Sequence, residues 1–185
     1  MPYKDFLAGL FLCLTAGLVG CAAPAGGKGG EDRYYLNANL GLAIEYPANW
    51  IRVRDVADPT EVKWSAPPDK KRHQPPALLL SAIPLVPDGG TEFLEENFLA
   101  AHPGFVVADR QEIALPASPG RRLLGHLPQR KFLVYLLPAM GRTYILEFSA
   151  HPEDFEASRS LFESMAKSFR ILQPRRTPAQ NASER

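Results

Sequence analysis

Cysteine is scarce in this chain: there are two in 185 residues, Cys13 and Cys21. Cys13 lies inside an N-terminal apolar run, so removal of that run leaves one thiol and no internal disulfide. The same count excludes Cys-rich zinc sites and CxxC redox centres. Histidine is nearly as sparse, with His73, His102, His126 and His151. None shares a helix-face spacing with another, so there is no HExxH-type metal site. The GxSxG elbow, the Walker loop and the GxGxxG fingerprint are all missing. An excess of one charge is missing too: Lys plus Arg is 21 against Asp plus Glu 20, a formal net charge of +1. Such a chain builds no strong field for nucleic acid. The sequence therefore implies no cofactor, no metal and no nucleic-acid partner.

Apolar residues make up 45% and charged residues 22%, ordinary globular composition with length enough for one domain and its core. Eighteen prolines fall mostly between apolar runs, which points to many short strands with stiff corners.

The one long apolar run is N-terminal. Residues 1–5, MPYKD, are weakly positive, and Phe6 to Val19 form an apolar stretch of fourteen residues. That is short of the roughly 20 a membrane span needs but right for a signal-peptide core. Leu18-Val19-Gly20-Cys21 then resembles the bacterial lipobox. The resemblance implies cleavage between Gly20 and Cys21 and a diacylglyceryl group on the Cys21 thiol. Small Gly20 lets a peptidase approach the backbone, and the thiol is the nucleophile that takes the lipid. Two or three acyl chains, at about 0.8 kcal/mol per buried CH₂, anchor without a spanning helix. Ala22, where enterobacterial inner-membrane lipoproteins tend to carry Asp, directs the expectation to the outer membrane, facing the periplasm. The expected organisation is signal peptide 1–20, lipidated Cys21 with a Gly-rich tether to residue 32, a domain over 33–172 and a loose tail over 173–185.

Within the domain, Tyr35 falls in a short strand and Asn37 to Gly41 in a turn. Leu42, Ile44 and Tyr46 alternate with Ala43 and Glu45, the period of a half-buried strand that Pro47 ends. Ile51 and Val53 alternate with Arg52 and Arg54, and Val62 and Trp64 flank Lys63, giving two more strands. ALLLSAI (77–83) and FLVYLL (132–137) have no polar face and must be covered on both sides. RLLGHL (122–127) lies between them along the chain, TYILEFSA (143–150) follows, and 105–115 holds one or two strands. Two helices are expected. One runs over 92–101, with Thr91 as N-cap and Phe93, Leu94, Phe98 and Ala101 on one side. The other runs over 152–167, with Pro152 at its first position and Phe155, Phe162, Met165 and Phe169 as its buried stripe. Runs of neighbouring strands favour an antiparallel sheet, and the strands without a polar face require helices on both sides. The expected fold is α+β, an α/β/α sandwich around a central, mainly antiparallel sheet.

The opening LGLAIEYPANWIRV, with Tyr46, Pro47 and then Trp50, and the close FESMAKSFRIL (162–172) resemble the PsbP/Mog1-like superfamily, including the DcrB-like bacterial lipoproteins. The resemblance covers residues 33–172 and departs from the family in the Pro-flanked basic loop PPDKKRHQPP (67–76). It implies a mostly non-catalytic domain that binds other proteins. Photosystem-associated members assist an extrinsic complex, Mog1 binds a small GTPase, and related bacterial domains chaperone secretion effectors. No functional residue carries over. Independently of the family, Pro47 cannot continue a central ladder. Trp50 then covers the corner as a core anchor, worth about 2–3 kcal/mol of burial, or lines a ligand site.

The residues offer little chemistry. His102 and His151 precede prolines at helix boundaries, where capping is the usual role, and His126, near Glu147 or Arg122, is the first place to look for a polar constellation. The pairs Glu95-Glu96 and Glu153-Asp154 point about 100° apart on a helix and form no dyad; they read as solvated residues complementing the helix dipole. Lys70-Lys71-Arg72, Arg121-Arg122, Arg130-Lys131 and Arg175-Arg176 read as solvated basic patches. Three functions follow: a lipid-anchored cell-envelope protein, not an enzyme, that binds or assists another envelope protein; a periplasmic module for a small apolar ligand or lipid; or a hydrolase. The first requires an exposed apolar patch or strand edge, the second an enclosed apolar cavity, the third a cleft with polar groups in hydrogen-bond reach.

Overall fold

In a computed structural model, residues 32–53, 58–70, 74–85 and 90–172 are described; the lipobox-like stretch, the expected tether up to residue 31, part of the basic loop and the tail lie outside them, and Asp32, expected to end the tether, begins the first strand. The elements in chain order are β1 (Asp32–Asn37), β2 (Leu42–Pro47), β3 (Ile51–Val53), β4 (Glu61–Ser65), β5 (Ala77–Pro84), α1 (Thr91–Ala101), β6 (Val106–Ala114), β7 (Pro119–Leu127), β8 (Arg130–Ala139), β9 (Arg142–Ala150), α2 (Pro152–Ser168) and β10 (Arg170–Ile171). The first hairpin closes as its turn residues dictate. The Asn37 side-chain oxygen accepts the N–H groups of Asn39 and Leu40, both at 3.0 Å, and Gly41 takes the left-handed conformation at φ 69°, which costs glycine little. β10 pairs with the other side of β2, giving a small sheet of order β1-β2-β10. The remaining strands form one antiparallel sheet of seven, in the order β3-β4-β5-β9-β8-β7-β6.

Residues opposite one another in a ladder share a face, so the register assigns both faces of the large sheet. One row runs Arg52, Trp64, Leu78, Phe148, Leu133; with its neighbours it packs on Phe155, Phe162 and Met165 of α2 and on Leu42 and Ile44 of the small sheet. Trp64, wholly buried, meets Tyr35 edge-on with centroids 5.0 Å apart and Tyr46 at 5.4 Å. The opposite row runs Val53, Lys63, Leu79, Glu147, Val134, Leu123, and its β8 end packs with Phe132 and Leu136 under Leu94 and Phe98 of α1. β8 thus feeds two cores, which is why FLVYLL has no polar face. The fold is an α+β sandwich of the α/β/α kind, with an antiparallel sheet between helices.

The helices depart from expectation in instructive ways. α2 begins on Pro152 behind His151, whose ring Nδ1 accepts the Glu153 N–H at 3.4 Å, and ends one residue later than expected. There Ser168 Oγ accepts the Glu45 N–H at 3.0 Å, tying helix to β2. In α1, Thr91 is not the N-cap: Gly90 holds that position without a side-chain cap bond, and Thr91 is the first helical residue. Phe93 and Ala101 are exposed, and the buried face is Leu94, Glu95 and Phe98. The helix is rotated so that the Glu95 carboxylate, not the Phe93 ring, enters the interface beside Leu94 and Phe98. β3 also differs: its alternation predicts one buried face, yet all three residues are exposed, because none of the described elements covers the α1 side of that edge.

Candidate functional site

Four places in the described structure gather the residues singled out from sequence. The first is the corner after β2. The Trp50 N–H donates to the Pro47 carbonyl at 2.9 Å, and the Trp50 side chain is buried in the main core. Its rim, with Pro47, Pro67, Pro68, Pro76 and Leu161 of α2, lines a groove of ≈ 630 Å³ that opens to solvent. The Ala66 N–H donates to the Pro76 carbonyl at 2.8 Å, so the basic loop leaves and returns at one point. Tyr46, half-buried, meets Trp64 at a tilt, with centroids 5.4 Å apart, and does not line this groove.

The second is a cleft of ≈ 540 Å³ beside α1, lined by Glu92, Glu95, Glu112, Arg110 and Arg121 among others. Glu95 is 5% exposed. Its carboxylate accepts from Arg110 Nε at 2.5 Å and Arg121 Nη1 at 3.0 Å. Arg121 also reaches Glu112 at 2.6 Å, and that hydrogen bond, followed by the Glu95 one, raises its pKa against the cost of burial. The expectation of a solvated Glu95 fails here for a physical reason. Two strand arginines, far away in sequence, supply the paired charge that burial of a carboxylate demands. Glu96 stays exposed. Both oxygens of Glu95 are engaged, so this cleft holds a brace between α1 and the β6–β7 hairpin and not a poised base.

The third is a histidine, but not His126. His126 is exposed on β7 opposite Val106 and Lys131, while Arg122 bonds Asp109 at 3.0 Å. Glu147, nine-tenths buried, meets His102 instead: Nε2 lies 3.2 Å from its carboxylate, and Nδ1 lies 2.8 Å from the Phe98 carbonyl. The ring stacks on Phe98 with centroids 4.2 Å apart. Both neighbours are acceptors, so the doubly protonated ring suits the site. The Glu147 hydrogen bond raises the His102 pKa, with help from the Phe98 carbonyl and against partial burial. A ring donating through both nitrogens offers no lone pair to a substrate. Tyr135, pushed up to about 12 chiefly by burial and next by Glu163, stays protonated at neutral pH.

The fourth is a surface. Beyond α1, the same sheet face continues over β5, β4 and β3. There Leu79 is half-buried and Ile51, Val53 and Ile83 are 55%, 36% and 38% exposed, around the exposed Lys63. Among the described residues, the paired basic residues of β7 and β8 are engaged with partners of their own. Besides Arg121 and Arg122, Arg130 donates to Gln74, Pro75 and Ser149, and Lys131 lies 3.6 Å from Glu156. Among the described residues, no group of three or more His, Cys, Asp or Glu side chains is placed to hold a metal ion, and no helix is long and apolar enough to cross a membrane.

A small sheet and one helix against one face of a large antiparallel sheet, with a second helix on the other face, is an arrangement found in solved structures. The chain has the Mog1/PsbP-like fold. Cyanobacterial PsbP (CyanoP) from Synechocystis sp. PCC 6803 superposes with a TM-score of 0.59 at 18% identity, over 84% of this chain and 99% of its own. The Ran-binding protein Mog1p of Saccharomyces cerevisiae does so at 0.54 and 9% identity, over 78% and 97%. PA94 of Pseudomonas aeruginosa, a protein of unknown function described as a putative regulator, does so at 0.53 and 14% identity, over 80% and 100%. No family model matches the sequence, and no curated protein matches it. At these identities the likeness establishes the Mog1/PsbP-like fold alone. The bare strip on β3–β5 and the buried Glu95 were missed from sequence. The only signals were the exposed-edge position of β3 and the charge pairing of distant residues, and neither can be read from a local window.

Proposed function

We propose that this is a lipid-anchored protein of the bacterial cell envelope, held at the outer membrane through Cys21, that binds another envelope protein and does no chemistry on it. The observation that carries the reading is Ile51 and Val53, two large apolar side chains left open on one face of the edge strand β3, with Ile83 exposed on the same sheet face further along β5. Monomeric proteins seldom leave neighbouring large apolar residues open without a use for them. The lipobox supports the anchor, and a fold shared with a Ran-binding protein is consistent with binding on such a scaffold. The open groove at Trp50 favours a second reading, a module for a small apolar ligand, although that reading calls for an enclosed cavity.

The test is capture of the anchored protein from its native membranes, followed by mass spectrometry. Wild type brings down a defined partner. The Ile51→Asp/Val53→Asp double variant, folded and membrane-bound, does not, and Cys21→Ser appears in the soluble fraction. Unchanged capture by the double variant refutes the surface, and membrane retention of Cys21→Ser refutes the anchor.

A further inference from the structure

The small sheet also has an outward face. Its inner side is fixed by Tyr35 against Trp64 at 5.0 Å, so strand alternation turns Tyr34 and Leu36 away from the body. They are 57% and 56% exposed. Register places Leu36 beside Ala43 and Arg170, and Tyr34 beside Glu45. The patch is therefore one aromatic, one branched aliphatic and one exposed arginine, whose Nη1 also donates to the Lys167 and Phe169 carbonyls, with Glu45 opposite Tyr34 and Asp32 earlier in the same strand, toward the end where the chain enters.

We propose that this outer face, Tyr34 and Leu36 with Arg170, rests on the bilayer to which Cys21 is attached. The inference rests on the anchoring reading above and adds the orientation of the body. Chain length decides which surface meets the lipid. Eleven residues, Ala22–Asp32, separate Cys21 from Arg33, and a Gly-rich leash of that length spans about 18 Å on average. A domain of about 140 residues has a radius of gyration of about 14 Å, so its far side lies beyond that mean reach. The surface held nearest the membrane is the one where the chain enters, and Tyr34 and Leu36 follow that point directly. Their chemistry fits an interface: a tyrosine ring sits at head-group depth with its hydroxyl wet, a leucine goes deeper, and an arginine meets phosphate. The leash raises the effective concentration, so a contact too weak to hold the free domain orients the tethered one. The face that carries Ile51, Val53 and Ile83 belongs to the opposite side of the large sheet and is left pointing into the aqueous compartment.

Hydroxyl-radical footprinting tests this. The chain from Cys21 onward has Cys21 as its only thiol, so it can be coupled to maleimide-lipid in phosphatidylethanolamine/phosphatidylglycerol vesicles or capped with a soluble maleimide. Chemical coupling makes the outcome independent of acylation in the host, which Cys21→Ser fractionation tests separately. On vesicles, oxidation of Tyr34 and Leu36 is expected to fall several-fold relative to the capped protein, with Ile51 and Val106, which is exposed on the far edge strand β6, unchanged. Equal oxidation of Tyr34 and Leu36 in the two forms overturns the proposal. A uniform fall at all four residues overturns it as well, since that is undirected adsorption.

Discussion

Over β8, Leu133, Tyr135 and Leu137 turn toward α2 and the small sheet, while Phe132, Val134 and Leu136 turn toward α1 alone. The first face is filled by two aromatic groups, Trp64 with Tyr35 and Tyr46, and Phe148 with Phe162 and Phe155, with Phe148 and Phe162 stacked 5.2 Å apart. The second is a satellite core of six buried residues, pinned by Glu95–Arg121 and by His102–Glu147, and it ends in an open apolar strip. One sheet thus has a side built on a large aromatic core and a side where charge pairs hold a single helix beside a free surface. Dispersion and burial make the first side stable; position-specific charges make the second specific and adjustable.

The comparison breaks most readily on the aromatic pair Phe162 and Phe98. Truncation of Phe162 to Ala, inside the closed core, is expected near the upper end of the range, about 5 kcal/mol, and Phe98→Ala near the lower end, about 3 kcal/mol, because α1 can settle into its cleft. Equal losses in urea titrations would remove the distinction. A smaller effect sharpens it: Glu95→Gln is expected to cost about 1–3 kcal/mol by weakening the pairing of two guanidinium groups, whereas neighbouring Glu96→Gln stays within about 0.5 kcal/mol. Smaller still is a pH effect confined to the α1 side. The folded pKa of His102 is raised above its ordinary 6.5, so its contribution is fully present below that value. It is lost as pH rises through the higher folded value. Wild-type stability relative to Glu147→Gln should therefore decline between weakly acidic and alkaline pH; a difference that does not change with pH contradicts the His102–Glu147 ion pair. Smallest of all, Ile51→Asp or Val53→Asp should change stability by no more than about 0.5 kcal/mol, since both side chains are already in water.

The legibility of the two sides in the sequence follows the same division. FLVYLL, ALLLSAI and the Phe155–Phe162–Met165 stripe announce themselves because period and apolarity are local properties, and the side they build was read with its helix bounds within one residue. Glu95 was misread as solvated because its partners Arg110 and Arg121 lie 15 and 26 residues away. Nothing in a helical window reports a guanidinium arriving from a strand. His126 looked more promising than His102 for the same reason, since Glu147 reaches across to a helix end and not along a strand. In β3, alternation sets apolar Ile51 and Val53 against Arg52, but it carries no information on whether anything covers the apolar face, and all three residues are exposed. Trp50 and Pro47 were read as a corner from the chemistry of proline, and the corner is there; the groove beside it depends on loop 67–76 and α2 meeting in space.

Photo-crosslinking in the native envelope tests the central claim most directly, with a diazirine amino acid placed in turn at Val53 and at Leu36 of the full chain. The account predicts a discrete protein adduct from position 53 and a phospholipid adduct from position 36. The same protein adduct from both positions, or lipid from position 53, would contradict it.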